Sequence, residues 1–126
     1  MEQQLTIKNA VELEGVGLHT GAKVKVRLLP AEPNAGISFI RVDLPNKPVI
    51  KANIANVMEL SRRLRRTSLS CEGVEVHTVE HLMSALSGLM IDNVKIEING
   101  PELPGLDGSA LPFVELIKKA GIESQP

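Results

Sequence analysis

His77 and His81 enclose the pattern His-x-x-Glu-His inside "VEVHTVEHLMSALSGLMIDN", Val74 to Asn93. Two imidazoles one helical turn apart can chelate a divalent ion while the glutamate beside them serves as base, the letter pattern of an inverted zincin. The flanking residues oppose that geometry. Val74-Glu75-Val76-His77 continues a strand alternation, and Thr78 is a favourable N-cap residue with non-helical backbone angles. His77 therefore precedes the helix and points away from any i, i+4 partner, while Glu80 and His81 fall in the first helical turn.

Beyond Thr78, Val79, Leu82, Met83, Leu86, Leu89 and Met90 recur at helical spacing and form an apolar stripe. Glu80, His81, Ser84 and Gly88 occupy the opposite side, where everything except the Glu-His pair is small and leaves room for close approach. The partial positive charge of a helix N-terminus suits a carboxylate base and an uncharged imidazole ligand. Two readings stand open: a surface pair without a role, or a base beside a metal ligand. Ligand supply limits the second. Catalytic zinc usually takes three protein ligands plus water, whereas the chain has three histidines with His19 in a remote turn. Any ion held by His81 must be completed from elsewhere.

The elements that would position this pair are legible in part. Lys23 to Leu28, "KVKVRL", and Val94 to Ile98 alternate apolar and polar residues, as half-buried strands do. Leu5 to Glu14 alternates loosely, and "ISFIRVDL" and "VIKANI" follow Pro and Gly breaks. Thr67 to Ser70 and "VEVH" flank a hairpin turn at Glu72-Gly73. Gly88 is a plausible terminator of the first helix. A second helix begins in "DGSALPF", with Asp107 or Ser109 as cap and Pro112 in the tolerant first turn, and stops at Gly121. A block of antiparallel strands, a helix, a strand and a helix predicts an α+β fold: a small, mostly antiparallel sheet packed against two helices in a two-layer sandwich. Residues 1–126 read as one domain, without repeats or linkers.

Composition excludes several classes. Hydrophobic residues are 43% of the chain but aromatics only 2%, so the core must be aliphatic and base-stacking platforms for single-stranded nucleic acid are lacking. Net charge is −1, which provides no general pull toward nucleic acid or an anionic bilayer. The one cysteine, Cys71, forms no internal disulfide and reads as a packed apolar group in a reducing, cytoplasmic setting. The acidic N-terminus does not read as a signal peptide, and no apolar run reaches the roughly 18 residues of a spanning helix.

"GVGLHTG" (Gly15 to Gly21), "TVEHLMSALSGLMIDN" (Thr78 to Asn93) and "GPELPGLDGSALPFV" (Gly100 to Val114) together resemble the N-terminal half of the UDP-3-O-acyl-N-acetylglucosamine deacetylases. These are zinc-dependent enzymes of lipid A synthesis. The resemblance spans nearly the whole chain. It implies a fold of two similar domains, each a small sheet on two helices, with the active site between them. It also implies Glu80 as general base and His81 as one Zn2+ ligand in metal-assisted amide hydrolysis of the UDP-acyl-GlcNAc substrate. The remaining ligands, in a His-Lys-x-x-x-Asp motif, belong to the family's second domain. That domain is expected as a partner in cis or in trans, and the 126-residue chain alone is expected to be inactive.

Other residues carry lesser expectations. His19 can hydrogen-bond its glycine-rich turn or reach the domain interface. Arg65 and Arg66, in the Arg62 to Arg66 cluster, read either as a solvated loop or as a contact for substrate phosphates. Asp107 reads as a cap rather than a catalyst. The competing functional reading is a stand-alone, non-catalytic domain that serves as an interaction or regulatory module. RNA binding through the arginines is disfavoured by the net charge and the missing aromatics.

Overall fold

Among the described residues five strands form the main sheet, and one of its faces is apolar except for Arg41 at the end of one strand. The computed structural model describes residues 3–53 and 68–126. The strands of this sheet are β2 (Val11–Val16), β3 (Lys23–Pro30), β4 (Ile37–Arg41), β5 (Val49–Lys51) and β8 (Val94–Ile98), in the order β2-β3-β8-β4-β5. Three of the four pairings are antiparallel, and only β4 with β8 is parallel. Register explains the alternation seen in sequence. Val11, Leu28, Ile96, Phe39 and Ile50 lie side by side in one row, and Leu13, Val26, Ile98 and Arg41 in the next. A one-residue slip would turn every one of these side chains to water.

The opposite face is polar. Arg27 lies directly across from Glu97 and pairs with it at 3.6 Å, and Lys25 pairs with Glu12 at 3.4 Å. Both pairs are partly exposed, so each contributes at most about 1 kcal/mol. This face is wet, and the described residues form two layers.

The second layer is α1 (Glu80–Gly88) and α2 (Leu111–Ala120). Leu82, Ala85 and Leu86 of α1 and Phe113, Ile117 and Ala120 of α2 join the sheet's inner face in one buried cluster. This is the α+β sandwich expected from sequence. Two short ladders flank it: β1 (Gln4–Ile7) with β9 (Ile122–Gln125), and β6 (Ser68–Cys71) with β7 (Val74–His77).

Several local expectations change. Leu5 to Glu14 is two strands, because the N–H groups of Lys8 and Asn9 turn away to the carbonyls of Gly121 and Ala120. β9 had no signal in its polar sequence. The first helix does end at Gly88, but the left-handed residue beyond it is Met90, φ +60°. The N–H of Met90 bonds the carbonyl of Ser87 and that of Ile91 bonds Leu86, closing a Schellman motif. The expected turn at Glu72-Gly73 is present with both φ values positive, +51° and +81°, the I′ geometry that matches strand twist and favours glycine at its second position.

Arg41 ends an inner row but is only 7% exposed, and it is a tie rather than a packing residue. Its guanidinium holds Asp43 at 2.7 and 2.9 Å and donates to the carbonyl of Glu75 at 2.9 Å, fastening the β6–β7 hairpin to the sheet. That hairpin leads directly into α1.

The stripe beneath α1 is the element's main source of stability. Leu86→Ala should lower unfolding free energy by about 2–5 kcal/mol, the usual range for an emptied leucine site. Urea denaturation measures it, and a loss below about 1 kcal/mol would mean that the helix is not seated on the sheet as described.

Candidate functional site

α1 starts at the junction of three segments that are remote in sequence. β7 runs alongside residues 101–103: the N–H of His77 donates to the carbonyl of Pro101 at 2.7 Å, and the N–H of Leu103 to the carbonyl of His77 at 3.1 Å. His77 itself is buried. Its Nδ1 lies 2.7 Å from Ser68 Oγ and its Nε2 lies 3.0 Å from Glu75 Oε2, so both ring nitrogens are engaged inside the hairpin. This placement before the helix agrees with the sequence reading and denies His77 to an ion shared with His81.

Thr78 follows with φ +60°, a left-handed conformation that costs a β-branched residue on the order of 1–3 kcal/mol. Its backbone is non-helical as expected, but it is not the N-cap. Val79 holds that position and makes no side-chain cap bond. The Thr78 hydroxyl is turned instead toward Glu102 and donates to its Oε2, at 2.7 Å.

Glu102 is the functional-site feature that sequence reasoning missed. It is 1% exposed, yet its carboxylate lies among donors from two other segments. The N–H of His19 donates to Oε1 and Oε2 at 3.1 and 3.2 Å, and the N–H of Thr20 to Oε1 at 2.9 Å. Gly17 makes the approach feasible, since a Cβ there would run into Glu102 Oε1 and Thr20 Oγ1. Burial alone would push the Glu102 carboxyl up. The bonds from the Thr20 N–H, the Thr78 hydroxyl, the His19 N–H and the Thr20 hydroxyl outweigh it and hold the group below the ordinary glutamate range. The one local signal was a glutamate set between prolines in the apolar run Pro101 to Pro104.

Glu80 and His81 then emerge as neighbours in the first turn of α1, both half-buried, with Leu82 fully buried beyond them. Neither lies in the aliphatic core. Further along, Ser84, Ser87 and Gly88 are exposed, and a Cβ added at Gly88 would meet nothing within 4 Å. The uncrowded flank expected from sequence is therefore present.

His19 is brought to the site by its backbone, while the residue as a whole is exposed. Asp107 and Ser109 are close to the expected cap but stand one step ahead of it. Ser109 Oγ accepts from the N–H of Leu111 at 3.3 Å, and Asp107 Oδ1 accepts from the Ser109 N–H and hydroxyl at 2.9 and 2.7 Å, while Ala110 is the N-cap. These Ser109 bonds hold the Asp107 carboxyl below its ordinary range, with a lesser contribution from His81. Arg65 and Arg66 lie outside the described residues.

Among the described residues no three His, Cys, Asp or Glu side chains cluster as a metal shell would require. The donor chemistry at α1, one imidazole beside one carboxylate, fits a share of such a shell and not the whole. Among the same residues no helix is long and apolar enough to cross a membrane.

Comparison with known proteins gives a consistent result. The family model described as UDP-3-O-acyl N-acetylglycosamine deacetylase matches residues 4–126. Curated proteins named UDP-3-O-acyl-N-acetylglucosamine deacetylase are similar throughout: one from Saccharophagus degradans is 52% identical over 99% of the chain, and one from Methylococcus capsulatus 49% over 99%. A third, from Myxococcus xanthus, is 48% identical over 97%. The chain spans about two fifths of their lengths: 40%, 40% and 38%.

The depressed Glu102 carboxyl has a pH signature. A carboxyl whose folded pKa lies below its unfolded value, about 4.3, contributes stability that is fully present above that value. The contribution fades as pH falls through the lower folded value. Urea melts from pH 7 to 3 should therefore show a decline below about pH 4.3 that Glu102→Gln makes shallower. Parallel curves for the two proteins would contradict the assignment.

Proposed function

Because the chain belongs to the UDP-3-O-acyl N-acetylglycosamine deacetylase family, we propose that it supplies Glu80 as general base and His81 as one zinc ligand to a centre removing acetate from UDP-3-O-acyl-N-acetylglucosamine in lipid A synthesis. The observation that carries this reading is the placement of the two side chains as half-exposed neighbours in the first turn of α1, with the core stripe held on the other side. An imidazole is an ordinary zinc donor. The bound ion supplies Lewis acidity toward the acetamide carbonyl and lowers the pKa of water to about 7.

The rest of the chemistry falls to the chain's own groups. His81 presents a ring lone pair from a rigid helical turn. Glu80 takes the proton of the attacking water and passes it to the departing amine as acetate leaves. The exposed helix flank at Ser84 and Gly88 leaves open space beside the pair, which supports approach of the sugar there. Minor roles are proposed for His19, on the loop fastened to Glu102, and for Arg65 and Arg66, whose alternative to a solvated loop is a role toward substrate phosphates. These last assignments rest on sequence alone.

In this reading residues 1–126 act as one domain. The other zinc ligands and most of the nucleotide and acyl surface come from a second deacetylase domain, in cis or in trans. The relatives' greater length supports that requirement. The single, unpaired Cys71 supports a cytoplasmic setting.

The test is complementation. The 126-residue chain alone should bind zinc weakly and show no meaningful turnover, and joining it to the remainder of a relative should produce deacetylation. In that joined enzyme Glu80→Ala should lower turnover by about 10²–10⁴-fold, as loss of a general base does. Full-rate hydrolysis by the unaccompanied chain, or an undiminished Glu80→Ala enzyme, would defeat the proposal.

A further inference from the structure

We propose that Glu102 is the positioning residue for the Glu80–His81 pair: its buried carboxylate gathers the N–H groups of His19 and Thr20 and the hydroxyl of Thr78, and so fixes the turn from which α1 departs. The catalytic consequence rests on the deacetylase reading above. The geometric one does not.

Thr78 lies two residues before Glu80, and its φ of +60° is a conformation that a β-branched residue does not adopt unaided. Something must select it, and the Thr78 hydroxyl is held by Glu102 Oε2. The backbone contacts of His77 with Pro101 and Leu103 bring Glu102 alongside that turn. Gly17 leaves the space its carboxylate fills. α1 has no side-chain cap to aim its first turn locally, so the direction in which Glu80 and His81 leave the helix is set by the segment before it.

A carboxylate suits this place because it only accepts, with about four lone-pair sites for converging donors. Glutamine has the same shape but substitutes an amino group for one oxygen, and that group would face other donors. Glu102→Gln therefore tests the charge and acceptor pattern with little change in volume.

The experiment compares NMR spectra of the labelled chain with those of Glu102→Gln, Thr78→Val and Thr78→Ser. Glu102→Gln and Thr78→Val should both shift the amide signals of Thr78 to Met83 and the ring signals of His81, while the β3 and β8 amides keep their positions. Thr78→Ser retains the hydroxyl and should restore the original pattern. Unmoved His81 signals in Glu102→Gln would overturn the inference. So would a disturbance spread equally through β3 and β8, which marks a general structural role. In the chain joined to the remainder of a relative, kcat should fall about 10–100-fold with KM little changed, the range for groups that orient a metal ligand. An unchanged kcat also overturns it. If the unsubstituted joined enzyme has no turnover, the deacetylase reading fails instead, and the spectra still decide for Glu102.

Discussion

A carboxylate cannot be taken out of water unless its lone pairs find donors, and Glu102 finds them in places that would otherwise have no reason to meet. The N–H groups at His19 and Thr20 belong to the loop after β2, the hydroxyl of Thr78 to the exit from β7, and the carboxylate to the segment after β8. Each partner needs the others. Without the carboxylate, a left-handed threonine and two inward-facing amides would be unfavourable, and without them the carboxylate would be an unpaired buried charge. The start of α1 is thereby defined by contacts 24 to 83 residues apart in sequence.

Buried apolar and half-exposed polar side chains are divided between the two sides of that helix. Leu82, Ala85 and Leu86 close over an aliphatic sheet face, and their burial supplies the energy that keeps the element in place. Glu80 and His81 stand half-exposed beside that packing. Holding two polar side chains on an element anchored from its other side lets them stay accessible without loosening the fold, and rigid elements give more exact placement than loops do.

How much of this was legible in sequence depends on whether the cause was local. β3 and β8 were plain because one face of each is buried and the other wet, so the period-2 pattern at Val24-Val26-Leu28 and Val94-Ile96-Ile98 records it. The α1 stripe was plain for the same reason at Val79, Leu82 and Leu86, but Met90, expected to share it, lies beyond the helix end and is 68% exposed. The Gly121 stop was plain as a left-handed glycine position. β9 was not, because Ile122 to Ser124 are exposed and the strand is held by backbone pairing and by the polar side chain of Gln125, which leaves no apolar period to read. Thr78 has the chemistry of a cap, and local propensity could not show that its backbone would be left-handed and its hydroxyl turned toward a partner 24 residues away. Glu102 was invisible as an anchor because two of its donors are backbone amides, and a sequence does not say where an amide points.

The pairing of β1 with β9 sets Gln4 opposite Gln125, and Asn93, 1% exposed, donates from its amide to both glutamines. Tension applied at Gln4 and Gln125 would then load the antiparallel ladder in a peeling geometry, opening its bonds one after another instead of all together. The first thing to yield under pull would be this clasp, with the five-stranded sheet and the helix bearing Glu80 and His81 still intact behind it.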